Sequence, residues 1–154
     1  MNFRDSGYVL TYLGLAGIVF VTILGLEYAP GLKPCTGGGC WGAPEAYRIL
    51  YLHVPFAWCS FLSFSVLFYG SLMWYLKRSE DAWVYFQSGS DLGVIFGLGV
   101  ITSGPIWASA EWGRPWDWGD MRLNSFALLT AVALFLVYSR QSQPDTQQNR
   151  DTLS

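Results

Sequence analysis

The sequence predicts an all-α integral membrane protein: four transmembrane helices, with an extracytoplasmic tryptophan-rich segment between the third and the fourth. Three observations predict it. Hydrophobic residues make up 52% of the chain and charged residues 13%, where soluble domains carry about 25% charged residues. Apolar runs recur, most of them near the roughly 20 residues that span hydrocarbon. Between them lie short segments rich in charge, glycine, proline or tryptophan.

The elements follow in order. After a polar lead ending at Gly7, residues 8–26 carry no charge and form the first expected span. No A-x-A-like cleavage site follows, so this run reads as an anchor and not as a signal segment. Glu27 to Tyr47 is a loop broken by Pro30, Pro34, Pro44 and a Gly37-Gly38-Gly39 run, and it holds Cys35 and Cys40. The second span, 54–76, has Pro55 near its start, where a missing N–H costs least. As a helix it is about 34 Å long. Lys77 and Arg78 end it, and a polar turn to Gln87 follows.

The third span, 88–110, repeats Gly89, Gly93 and Gly97 every four residues. Small residues at that spacing let another helix backbone approach in lipid; the stripe suits ordinary bundle packing and also a neighbouring subunit. Gly104-Pro105 is expected to bend or end this helix. The fourth span, 123–138, starts with Asn124 and Ser125 as candidate caps. Residues 1–140 thus read as one transmembrane domain, and 141–154 as a polar, disordered tail.

Four spans put both termini on one side with Arg4, Lys77, Arg78, Arg140 and Arg150, against Lys33, Arg48, Arg114 and Arg122 on the other. The expected location is the cell membrane, multi-pass, with both termini cytoplasmic. The Cys loop and the tryptophan segment then share the outer face. The net charge of −2 and the absence of a basic patch exclude nucleic acid as a partner.

The densest chemistry lies in WASAEWGRPWDWGDMRLN, residues 107–124. It holds four of the eight tryptophans, Trp107, Trp112, Trp116 and Trp118, among Glu111, Arg114, Asp117, Asp120 and Arg122. An indole is apolar with one polar N–H and suits the membrane boundary; a cluster of them suits a large flat ligand. His53, the single histidine, lies at the same outer end of the second span. As a neutral imidazole it is a candidate metal ligand, and equally a polar interfacial residue. Arg48 and Arg122 would pair with carboxylates in forked geometry, or simply anchor helix ends. Cys35 and Cys40 are a disulfide candidate on an oxidising face. They do not form the C-x-x-C-H of covalent haem attachment. Cys59, inside the second span, reads as packing. No nucleophile–base pair, phosphate loop or carboxylate dyad stands out, so no enzyme is expected.

Two motifs together carry a resemblance. Arg48-Ile49-Leu50-Tyr51-Leu52-His53-Val54-Pro55-Phe56-Ala57-Trp58 resembles the R-I-x-Y-x-H-V-P-x-A-W segment of the haem exporter protein C family of cytochrome c biogenesis. Residues 112–124, WGRPWDWGDMRLN, resemble that family's tryptophan-rich signature W-G-x-x-W-x-W-D-x-R-L-T, and Gly104-Pro105-Ile106-Trp107 fits upstream. The resemblance implies non-covalent haem b with His53 as axial ligand. It implies a porphyrin platform from Trp112, Trp116, Trp118 and, at its margin, Trp107. It makes Arg48 and Arg122 candidates for the propionates, and Asp120 the residue that orients the loop. It also implies partners: ABC-type transporter subunits and a haem chaperone.

Three departures stand out. The family typically has six spans and a second axial His, where four spans and one His are read here; either another chain supplies the missing helices and the second His, or haem binds with one protein ligand and a water or partner group, or haem binding has been lost. Gly119 interrupts the W-D step, and Asn124 stands where Thr is usual. The Cys35–Cys40 loop is outside the pattern. The expected function is therefore haem binding and delivery at the outer membrane face during cytochrome c maturation, within a larger membrane complex. The alternative is a structural or assembly subunit of a respiratory or biogenesis complex with a degenerate haem site.

Overall fold

A computed structural model describes residues 3–29 and 43–154. All its regular elements are helical. Helix α1 (Phe3–Ile23) runs on into a π-helical turn, Leu24–Tyr28; a 3₁₀ turn, Ala46–Ile49, leads into α2 (Leu50–Lys77). Then come α3 (Glu80–Trp112), α4 (Met121–Ser142) and the short α5 (Gln147–Leu153). Three stretches are long and apolar enough to cross a membrane: Ala46–Lys77, Glu80–Trp112 and Met121–Ser142. The run 8–26 falls on α1, whose apolar part with the following turn, Tyr12–Tyr28, is shorter than these. Cys35 and Cys40 lie outside the described residues.

Helices α2 and α3 form a tight antiparallel hairpin, and α4 also packs against α3. Arg78 closes the hairpin in the left-handed conformation, φ 49°, with its N–H donating to the Trp74 carbonyl at 2.8 Å. Ser79 caps α3 by accepting from Ala82 N–H at 3.3 Å, with Glu80 and Asp81 in the first turn where the helix dipole favours them. The polar segment before residue 88 is thus already helix. Trp83 and Phe86 drive this, buried beside Trp74, with the Trp83 and Phe86 rings stacked at 4.8 Å.

The glycine stripe finds its neighbour within the chain. A Cβ at Gly89 would lie 2.3 Å from the Leu67 backbone nitrogen, one at Gly93 2.8 Å from Phe64, and one at Gly97 2.2 Å from Thr130 Oγ1. One face of α3 therefore seats α2, at backbone distance beside Gly89, and the Thr130 side chain of α4 beside Gly97. Around it lies a core of Phe64, Val100, Phe126 and Ala133.

Two expectations are corrected here. Gly104-Pro105 does not end the third helix, which continues to Trp112 and stops at Gly113, φ 72°. Proline removes one backbone bond, but a helix packed between neighbours tolerates that loss. The tail 141–154 is not disordered throughout, since 147–153 form α5. Arg150 explains this. Its guanidinium pairs with Asp145 at 2.5 Å and Glu80 at 2.9 Å, and lies 5.1 Å over the Trp83 ring and 5.5 Å over that of Trp74. Trp74 Nε1 donates to Asp151 at 3.0 Å, and Leu153 packs on the same indoles. A polar composition hid a docked turn.

Candidate functional site

The hairpin brings the first turns of α2 beside the last turns of α3, at the end opposite α5. His53 stands near the start of α2, its Nδ1 2.9 Å from Ser103 Oγ on α3. Ser103 donates its own hydrogen to the Gly99 carbonyl at 2.5 Å. Gly104 leaves room for the ring, since a Cβ there would lie 3.1 Å from His53 Cε1. Among the described residues no hydrogen bond reaches His53 Nε2.

Between α2, α3 and α4 this ring lines a cavity of about 490 Å³, within the usual small-molecule range. His53, Trp107, Trp112, Asp120 and Arg122 converge on it, with Gly104, Phe61, Phe126 and Leu129 completing an apolar wall. The Trp107 and Trp112 rings meet edge to face at 4.7 Å. Phe61 of α2 and Phe126 of α4, 4.8 Å apart, bridge the gap between those two helices. Beside it, a more polar recess of about 650 Å³ shares Trp112, Asp120 and Arg122 and adds Arg114 and Asp117.

Asp120 builds the corner that presents these groups. Its carboxylate caps α4 by accepting from Arg122 N–H at 2.9 Å, and takes the Arg122 guanidinium in a fork at 3.2 and 3.1 Å. That guanidinium holds the Asp120 carboxyl below the usual carboxylate range, against a smaller opposing effect of burial. Asp120, not Asn124 or Ser125, is therefore the cap. Asn124 instead donates to the Trp118 carbonyl at 2.8 Å and ties the loop to α4, while Arg114 pairs with Asp117 at 2.9 Å. At the start of the described 43–154 segment, Ala43 N–H donates to Glu111 at 2.9 Å.

The remaining candidates lie elsewhere. Trp116 and Trp118 meet edge to face at 5.6 Å on the loop, outside the cavity lining, with Trp118 84% exposed. Arg48 faces away from the cavity, pairing with Glu45 at 3.2 Å and reaching the Leu26 carbonyl at 3.4 Å. Cys59 lines a separate apolar cavity of about 330 Å³ between α1 and α2. The sequence did not single out Ser103, Phe61, Phe126 or Leu129. A serine in a helix interior and apolar residues in a span look like packing, and no spacing rule joins them to a histidine on another helix.

Chemically, the site offers one imidazole with a nitrogen that no described residue engages, two indoles, and an exposed rim where Arg122 and Arg114 each pair with an aspartate. Among the described residues no three His, Cys, Asp or Glu side chains cluster as a chelating metal site. An iron already held by its own macrocycle needs only the single nitrogen, and a flat apolar body matches the indole-lined wall; acidic edges would share the rim arginines with Asp120 and Asp117. The residues fit a porphyrin.

Comparison with known proteins gives the same direction. The family model described as Heme exporter protein C matches residues 8–152. The chain is similar to Heme exporter protein C of Paracoccus denitrificans, 29% identical over 134 residues, covering 82% of this chain and 49% of that protein. The corresponding protein of Escherichia coli K12 is 29% identical over 130 residues, covering 82% and 49%. That of Bradyrhizobium diazoefficiens is 30% identical over 130 residues, covering 84% and 45%. The chain spans about half the length of the curated relatives it matches.

Proposed function

The chain belongs to the haem exporter protein C family, and from that premise we propose that it binds haem b non-covalently at the His53 cavity and passes it on during cytochrome c maturation. The observation that carries this is the convergence of His53, Trp107, Trp112 and Arg122 on one cavity at one end of the hairpin. We read α1 as a fourth crossing, the tryptophan corner as extracytoplasmic and both termini as cytoplasmic. The role is transfer, without bond-making by the protein.

When bound, haem supplies an iron that accepts an imidazole nitrogen. His53 offers that nitrogen. Trp107 and Trp112 exclude water from one side of the cavity and present flat apolar surface. Arg122, with Arg114 in the adjoining recess, supplies guanidinium N–H groups at the rim, which a ligand carboxylate would share with Asp120 and Asp117. Trp116 and Trp118 extend the aromatic surface outward, where a haem chaperone would dock. His53 is the only histidine of the 154 residues; any further ligand to the iron would be a water or a group from outside them, such as one carried by a partner membrane subunit or by the chaperone. Arg48 serves the helix junction with Leu26.

The test is a visible spectrum of the chain purified with its partners, with and without His53→Ala. A Soret band lost in the variant supports the reading. A colourless wild-type complex that assembles normally would instead leave a structural role.

A further inference from the structure

We propose that Ser103 is a positioning residue that locks His53 in the tautomer carrying its proton on Nδ1, leaving Nε2 as the free ligand nitrogen. The proposal rests on the haem-site reading only for its purpose; the tautomer itself follows from hydrogen bookkeeping. A serine hydroxyl has one hydrogen. Here that hydrogen goes to the Gly99 carbonyl, 2.5 Å away on the preceding turn of α3. The oxygen is then only an acceptor toward His53 Nδ1 at 2.9 Å, so the nitrogen must donate. A neutral imidazole with Nδ1 protonated has its lone pair on Nε2. Gly104 adds the steric half of the device, because its missing side chain lets the ring lie against α3, 3.1 Å from where a Cβ would be.

The choice of acceptor also has a consequence for the ligand. A metal-binding imidazole usually donates its second N–H to a carboxylate, carbonyl or water, and that partner tunes its basicity. A neutral hydroxyl already spent on a backbone carbonyl is a weak partner compared with a carboxylate. His53 is thereby oriented without being pushed toward imidazolate, which suits a ligand that has to let go.

The single histidine makes the test direct. Ring-¹⁵N-histidine labelling of this chain alone, made without a histidine tag and reconstituted in nanodiscs with unlabelled partner subunits, gives one pair of imidazole resonances, read without haem at a pH where the ring is neutral. The expected spectrum has a protonated Nδ1 and an unprotonated Nε2. Ser103→Ala should lose that pattern and show a large Nε2–H population, while Ser103→Thr restores it. After haem loading, Ser103→Asp should raise the iron–histidine stretching frequency and lower the midpoint potential relative to wild type. An Nε2–H tautomer in the wild type, or a spectrum unchanged by Ser103→Ala, overturns the proposal whatever haem does. A wild type with the expected tautomer but no His53-dependent Soret band leaves the hydrogen-bond assignment standing and overturns the haem reading beneath it.

Discussion

Gly104 touches His53: the two are packed so that a single methyl on Gly104 would sit 3.1 Å from the imidazole Cε1 and 3.6 Å from Leu123. Gly104→Ala should therefore displace the ring by a few tenths of an ångström while the hairpin still forms. Disturbing the shell around a metal ligand typically costs about 10–100-fold in affinity. The lower figure, about tenfold weaker haem binding, is expected here, measured by Soret titration, with unchanged helicity by circular dichroism.

Gly89 and Gly70 test the hairpin itself. A Cβ at either would lie 2.3 Å from a backbone nitrogen of the opposite helix, Leu67 or Phe86. Backbone cannot swing aside as a side-chain tip can, so each alanine must part α2 from α3. Overpacking of this kind costs about 1–3 kcal/mol. Thermal unfolding in detergent should show both variants destabilised. Gly14→Ala, where nothing lies within 4 Å, serves as the neutral control.

Asp120 gives the corner an acid limit. Its folded-state pKa lies below its ordinary value of 3.8, chiefly through the Arg122 hydrogen bond. The contribution is therefore fully present above about pH 4 and is lost as pH falls through the lower, folded-state value. Hydrogen exchange at the first amides of α4 should accelerate only in that acid window. Asp120→Asn should flatten the dependence, and Asp120→Ala should cost about 1 kcal/mol of helix capping at neutral pH.

Arg150 should control α5. Its side chain is 17% exposed, sits over two indoles and reaches two carboxylates. Cation–π contacts of this kind contribute about 1–2 kcal/mol. Arg150→Ala should release residues 147–153, seen as faster exchange confined to α5 and greater exposure of Trp74 and Trp83 to an aqueous quencher. Lysine should restore only part of the protection, because it lacks the planar fork that faces Asp145.

Three of the four expected spans, 54–76, 88–110 and 123–138, were legible because lipid imposes a crude requirement, and apolar runs of the right length meet it. Their ends were not. Glu80 to Gln87 reads as polar, yet Trp83 and Phe86 within it bury against Trp74, a pairing that exists only once α2 has folded back. The same holds at Gly104-Pro105, where local chemistry favours a break and tertiary packing carries the helix on. His53, Trp107 and Trp112, which line one cavity, were singled out because their residue types are unusual for a span. Ser103 was missed because its importance is relational: nothing about a serine after a threonine announces that its oxygen faces the one imidazole in the chain.

Helix α3 has 33 residues, so it measures about 50 Å from end to end, against a hydrocarbon layer of roughly 30 Å. The two tips cannot both lie flush with the lipid. Either the rod leans, or a tip stands clear of the hydrocarbon like a mooring post, whether the charged one at Glu80 and Asp81 or the indole-bearing one. How far a tip stands out then varies with the thickness of the surrounding bilayer.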